Sequence, residues 1–122
     1  MYKTWLILFA VFGFLSVAIG AFGAHGLKSI LDDYGKSIFE TGVQYQMFHS
    51  LALLAVGVLQ YQFKIASLNK AGWAFTAGIV LFSFSLYILA VTGFKWLGAI
   101  TPIGGLCFLF GWVWLLYQFL KN

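Results

Sequence analysis

The chain has 122 residues, of which 62% are hydrophobic and 8% charged, with a formal net charge of +4. Soluble domains carry roughly 25% charged residues, so this composition excludes a water-soluble globule. The positive charge comes from scattered lysines rather than a basic stripe, which excludes nucleic-acid binding and fits attraction to anionic lipid headgroups. A lone cysteine, Cys107, excludes an internal disulfide and a cysteine-based metal motif.

Charges punctuate the sequence almost evenly. Lys3 to Lys28 encloses 24 uncharged residues, Glu40 to Lys64 encloses 23, Lys70 to Lys95 encloses 24 and Lys95 to Lys121 encloses 25. Each stretch exceeds the ~20 residues that a spanning helix needs. The expected fold is all-α: one domain, residues 1–122, forming a membrane bundle of four transmembrane helices with spans at about 5–26, 41–63, 71–92 and 101–120.

The first span opens on MYKTWLILFAVFGFL, which has the look of a secretory signal with Ala21-Phe22-Gly23 as its cleavage site. Its apolar run is longer than the ~7–15 residues of a signal core, so an uncleaved span is expected. Ser16, Gly20 and Ala24 recur every fourth residue, a ridge of small side chains that lets another helix approach closely. His25, next to Gly26, sits where a side chain can bond the last helical carbonyls. The connection that follows contains Asp32 and Asp33, without the ligand spacing of a calcium loop, and reads as solvated.

The second span is the most polar. Ser37-Ile-Phe-Glu40 has capping-box spacing and follows Gly35 and Lys36, which predicts a helix starting at Ser37 with Glu40 closing its first turn. Glu40, Thr41, Gln44, Tyr45 and Gln46 are placed in the headgroup region, with hydrocarbon starting near Met47 and His49 one turn inside. The end of the first span and the start of this one share a membrane side, and consecutive antiparallel helices usually pack together. A polar cluster of His25, His49, Tyr45, Gln44 and Glu40 is therefore expected there, satisfying groups that lipid cannot.

Lys64 to Lys70 reads as a tight turn into the third span, where Ala74 and Gly78 make another small pair and Ser83 and Ser85 can bond their own helix. Thr101-Pro102 restarts the chain as N-cap and first helical residue. Gly104 and Gly111 form a smooth packing seam on the last span, and Trp112, Trp114 and Tyr117 suit an aromatic belt near its end. With four spans, Lys3, Lys64, Lys70 and Lys121 share one side against Lys28, Lys36 and Lys95, a bias toward cytoplasmic termini.

GAFGAHGL in the first span, ETGVQYQMFHSLALL in the second and ITPIGG opening the fourth together resemble the small integral-membrane family called domain of unknown function 423, which includes transmembrane protein 256. The likeness covers essentially the whole chain. It implies a four-helix membrane protein, in bacteria a plasma-membrane protein, and brings no catalytic residues with it.

Nothing in the sequence has the spacing of a hydrolytic triad, a phosphate-binding loop or a metal cluster. No catalytic residue, metal site or cofactor is expected. The first reading is a structural or accessory membrane component whose partners are the lipid bilayer and, beyond it, further copies of the chain or a larger membrane complex. One alternative is a small transporter or channel acting as an oligomer, although no charged residue falls mid-span where a coupling group belongs. The other is a metal- or haem-binding membrane protein using His25 and His49, whose two ligands leave a site incomplete.

Overall fold

The computed structural model describes residues 1–122, and its regular structure is all helix, with no strand. Helix α1 runs Tyr2–His25 and α2 runs Asp33–Phe63. A short 3₁₀ turn, Ala66–Leu68, leads into α3 (Asn69–Gly78), a π-helical turn (Ile79–Phe84) and α4 (Ser85–Thr92), which together make the third span. A second 3₁₀ turn, Lys95–Ala99, precedes α5 (Thr101–Lys121). Four helical stretches are long and apolar enough to cross a membrane. Their outer faces carry exposed Ile7, Phe14, Leu51, Val91, Leu106 and Leu116. Helices that are apolar all round belong in lipid, and this exterior contacts the bilayer.

Two predicted helix starts lie elsewhere. α2 begins four residues before Ser37: the Asp32 carboxylate accepts from the Gly35 amide at 2.6 Å and is the cap. Asp32 is thus a helix cap as well as the exposed residue expected. Gly35 does not break the helix; it is buried in the first turn, where an added Cβ would stand 3.0 Å from the Asp32 carboxylate and 3.4 Å from the Ala90 carbonyl. The Ser37-x-x-Glu40 spacing falls inside the helix, where Ser37 instead offers its carbonyl to the Thr41 hydroxyl at 3.1 Å. At α5 the cap position is Ile100, with no side-chain bond. The Thr101 hydroxyl turns back to the Leu97 carbonyl at 3.3 Å and meets Ser85 Oγ at 2.7 Å, tying the fourth span to the third.

The helices are joined by rings laid on glycines. In lipid, close van der Waals contact replaces the hydrophobic drive that packs soluble helices. Phe75 and Gly78 on the third span face Phe108 and Gly111 on the fourth, and each ring covers the other helix's glycine. Gly104 meets main chain rather than a ring, because a Cβ there would collide with the backbone of Leu81 and Phe82 in the π turn. Trp5, fully buried, lies over Gly72, where a Cβ would come 2.5 Å from the indole. Its N–H donates to Asn69 Oδ1 at 3.1 Å. On the first span Ser16 is buried, but Gly23 makes the tight contact, under the ring of Phe39. Gly20 meets only a Val43 methyl at 3.3 Å, and Ala24 is exposed at the mouth of a groove.

Candidate functional site

α2 is the polar spine of the bundle. Gln46, expected among headgroups, is 0% exposed. Its amide Nε2 donates to the Phe12 carbonyl of the first span at 2.9 Å, and its Oε1 accepts from the Tyr87 hydroxyl of the third at 2.6 Å. One side chain thus joins three spans. Ser83, expected to bond its own helix, instead donates across to the Gly42 carbonyl at 2.7 Å. Ser85 keeps the local bond, to Phe82 at 2.8 Å.

His49 is 3% exposed and lies 16 residues from Asp33 and 14 from Phe63. At 1.5 Å per residue that is ~24 Å and ~21 Å from the two helix ends, so His49 sits near the middle of α2. The ring is held on both nitrogens. Nδ1 lies 2.8 Å from the Tyr45 carbonyl, which can only accept, so Nδ1 carries the proton. Nε2 lies 3.0 Å from the indole nitrogen of Trp112, which can only donate, so Nε2 offers its lone pair. Both constraints specify one neutral tautomer. The imidazole also stacks on Phe108, centroids 3.6 Å apart and planes 9° from parallel. Trp112 therefore joins α5 to His49 through its indole N–H while keeping part of its ring exposed. Trp114 does suit a belt, with Lys70 Nζ 4.7 Å from its ring centroid and its N–H bonded to the Ser67 carbonyl at 2.8 Å.

The five residues expected to cluster separate into two grooves on either side of an exposed stripe of α2. His25, Glu40 and Gln44 line the first, a ≈ 610 Å³ groove between α1 and α2 that also includes Lys28 and Lys36. Tyr45 and His49 line the second, a ≈ 840 Å³ groove between α2 and α5 walled by Phe48, Phe82, Leu109 and Trp112. Gln44 borders both. His49 faces α5, while His25 is exposed at the end of α1, so the two imidazoles do not form one centre. No three His, Cys, Asp or Glu side chains converge as a ligand set. The His49 lone pair is already engaged by Trp112, which does not fit a metal- or haem-ligand role.

At the end carrying both termini, Gln60 Nε2 donates to Asn69 Oδ1 at 2.7 Å, and Ser67 Oγ donates to Gln118 Oε1 at 2.6 Å. Gln60 Oε1 is the one buried side-chain polar atom without a protein partner. Reasoning from the sequence missed Gln46, Tyr87, Gln60 and Gln118 as fasteners. Their signal was the presence of amides and a phenol inside apolar runs, where an unpaired polar group is costly.

The family described as "Protein of unknown function (DUF423)" matches residues 19–105. Among similar proteins, the UPF0382 membrane protein YwdK of Bacillus subtilis (strain 168) is 47% identical over 120 residues, covering 98% of each chain. The UPF0382 membrane protein SH2409 of Staphylococcus haemolyticus (strain JCSC1435) is 49% identical over 119 residues, 98% of this chain and 97% of that one. The UPF0382 membrane protein SAB0533 of Staphylococcus aureus (strain bovine RF122 / ET3-1) is 47% identical with the same coverage. No solved structure matches. With a match across most of its length and four apolar spans, the chain belongs to the DUF423 family and is a multi-pass membrane protein.

Proposed function

We propose that the chain is a non-catalytic structural or accessory component of the plasma membrane, working through its lipid-facing exterior, alone or within a larger complex. The observation that carries this reading is that its buried polar groups, Gln60 Oε1 apart, are bonded within the protein. Gln46, Ser83, Tyr87 and His49 all bond across helix interfaces. Fully buried Leu53, Phe75 and Ile79 occupy the space between. A transporter needs unspent polar groups facing a water-filled path, and here the grooves open sideways. The lysine bias favours cytoplasmic termini, with Lys3, Lys64, Lys70 and Lys121 on that side.

A second reading, an oligomeric conduit, draws support from Glu40, Gln44 and Tyr45, which are exposed on α2 and would have to meet another subunit to line a pore. Flux measurements on purified protein in liposomes separate the two. The accessory reading expects proton and monovalent-ion leakage equal to that of protein-free vesicles. Protein-dependent flux that scales with the amount reconstituted would establish the conduit instead.

A further inference from the structure

The two grooves have complementary character and share Gln44. The first lies at the membrane boundary, where α1 ends at His25 and α2 begins at Asp33. Its lining carries two ammonium groups, Lys28 and Lys36, with the imidazole of His25 beside them and Glu40 as its only carboxylate. The second groove runs from Gln44 and Pro102, at its polar end with the Tyr45 hydroxyl, down to His49 and Trp112, whose polar atoms are already bonded. From Glu40 to His49 is nine residues along α2, or ~14 Å of helix axis, a distance suited to a long acyl chain. The volume of ≈ 840 Å³ falls within the ~300–1,000 Å³ of ligand pockets.

The geometry points to a bound anionic phospholipid as the occupant: its phosphate meets Lys28 and Lys36, and one acyl chain crosses at Gln44 to lie in the α2–α5 groove. Charge complementarity selects the headgroup, since two lysines against one carboxylate leave the first groove net positive. The groove between α2 and α5 is open along its side, so a chain enters laterally from the bilayer. His49 and Trp112, bonded to each other, form the inner end of that groove and offer the chain ring faces rather than free polar atoms. The inference rests on the reading of the exterior as the working surface and names what that surface holds.

The test is native mass spectrometry of the full chain in detergent with dioleoyl phosphatidylglycerol, against dioleoyl phosphatidylethanolamine with identical chains. Phosphatidylglycerol should be retained in preference. Lys28→Gln and Lys36→Gln should each weaken that retention about fivefold, the loss expected for one lysine at an anionic surface. Gly105→Leu tests the chain site: a Cβ there meets only Phe82 at 3.9 Å, so the added side chain extends over Phe82 into the groove without entering the core. It should reduce retention of both lipids at an unchanged melting temperature. Should it perturb folding, Leu109→Trp, at an exposed groove position, serves the same purpose. Equal retention of the two lipids would overturn the headgroup assignment. Retention unmoved by either groove substitution in a folded variant would overturn the chain assignment. Neither result alters the flux prediction, so the two readings fail separately.

Discussion

At the scale of single residues, burial turns polar groups into fasteners. A glutamine amide in hydrocarbon has no water to bond, so its value depends on what faces it. Gln46 finds a carbonyl on one neighbour and a phenol on the other. Interhelical hydrogen bonds in membranes average ~0.6 kcal/mol and reach ~1.7 kcal/mol. A double-mutant cycle of Gln46→Leu and Tyr87→Phe, measured by reversible unfolding in detergent, should therefore give a coupling energy in that range. Gln44→Leu, on the exposed face, should leave stability unchanged. A coupling indistinguishable from zero would mean that the Gln46–Tyr87 bond does not form in the folded protein. Little of this was legible beforehand. That Gln46, Tyr45, Gln44 and His49 are polar is visible in the sequence, but neighbouring positions on a helix point in different directions. Which neighbour each meets depends on how the other three helices pack. The expected cluster paired His25 with His49 through chain adjacency, whereas α2 turns His49 toward α5.

Among the elements, glycines set how closely helices approach, and the contacts rank them. An added Cβ at Gly104 meets peptide backbone in the π turn, which cannot yield without moving a helix. At Gly20 it meets a single valine methyl at 3.3 Å, which can rotate. Gly104→Ala should therefore destabilise the bundle by ~1–3 kcal/mol, the usual cost of overpacking. Gly20→Ala should be near neutral, since alanine also improves helix propensity by up to ~1 kcal/mol. Thermal unfolding of both variants in one detergent checks the order, and a reversed ranking would contradict the packing described. The spans themselves were readable because lysines mark their ends and apolar residues fill the intervals. The start of α2 was not, because Asp32 and Ser37 are both competent caps and Gly35 looks like a break until Ala90 is seen beside it. The reciprocal Phe75–Gly111 and Phe108–Gly78 contacts had a faint trace in the two Phe-x-x-Gly repeats. Only the antiparallel pairing of the two spans gives that repeat meaning.

At the scale of the whole molecule, the chain is a closed bundle: apolar outside, internally bonded inside, with its grooves between helices at the surface. Both termini and the 64–70 turn lie at one end, and the turns around residues 26–32 and 93–100 lie at the other. Single-cysteine labelling in intact membranes tests this most directly, with Cys107 replaced by serine. Ser50 and Ser83, 2% and 0% exposed, probe the interior, while Gly98 and Asn122 report the two ends. A membrane-impermeant thiol reagent should label Gly98→Cys from one side and Asn122→Cys from the other, and should leave Ser50→Cys and Ser83→Cys unmodified from both. Rapid modification of either interior cysteine from the aqueous phase would reveal a water path through the bundle and contradict a closed interior.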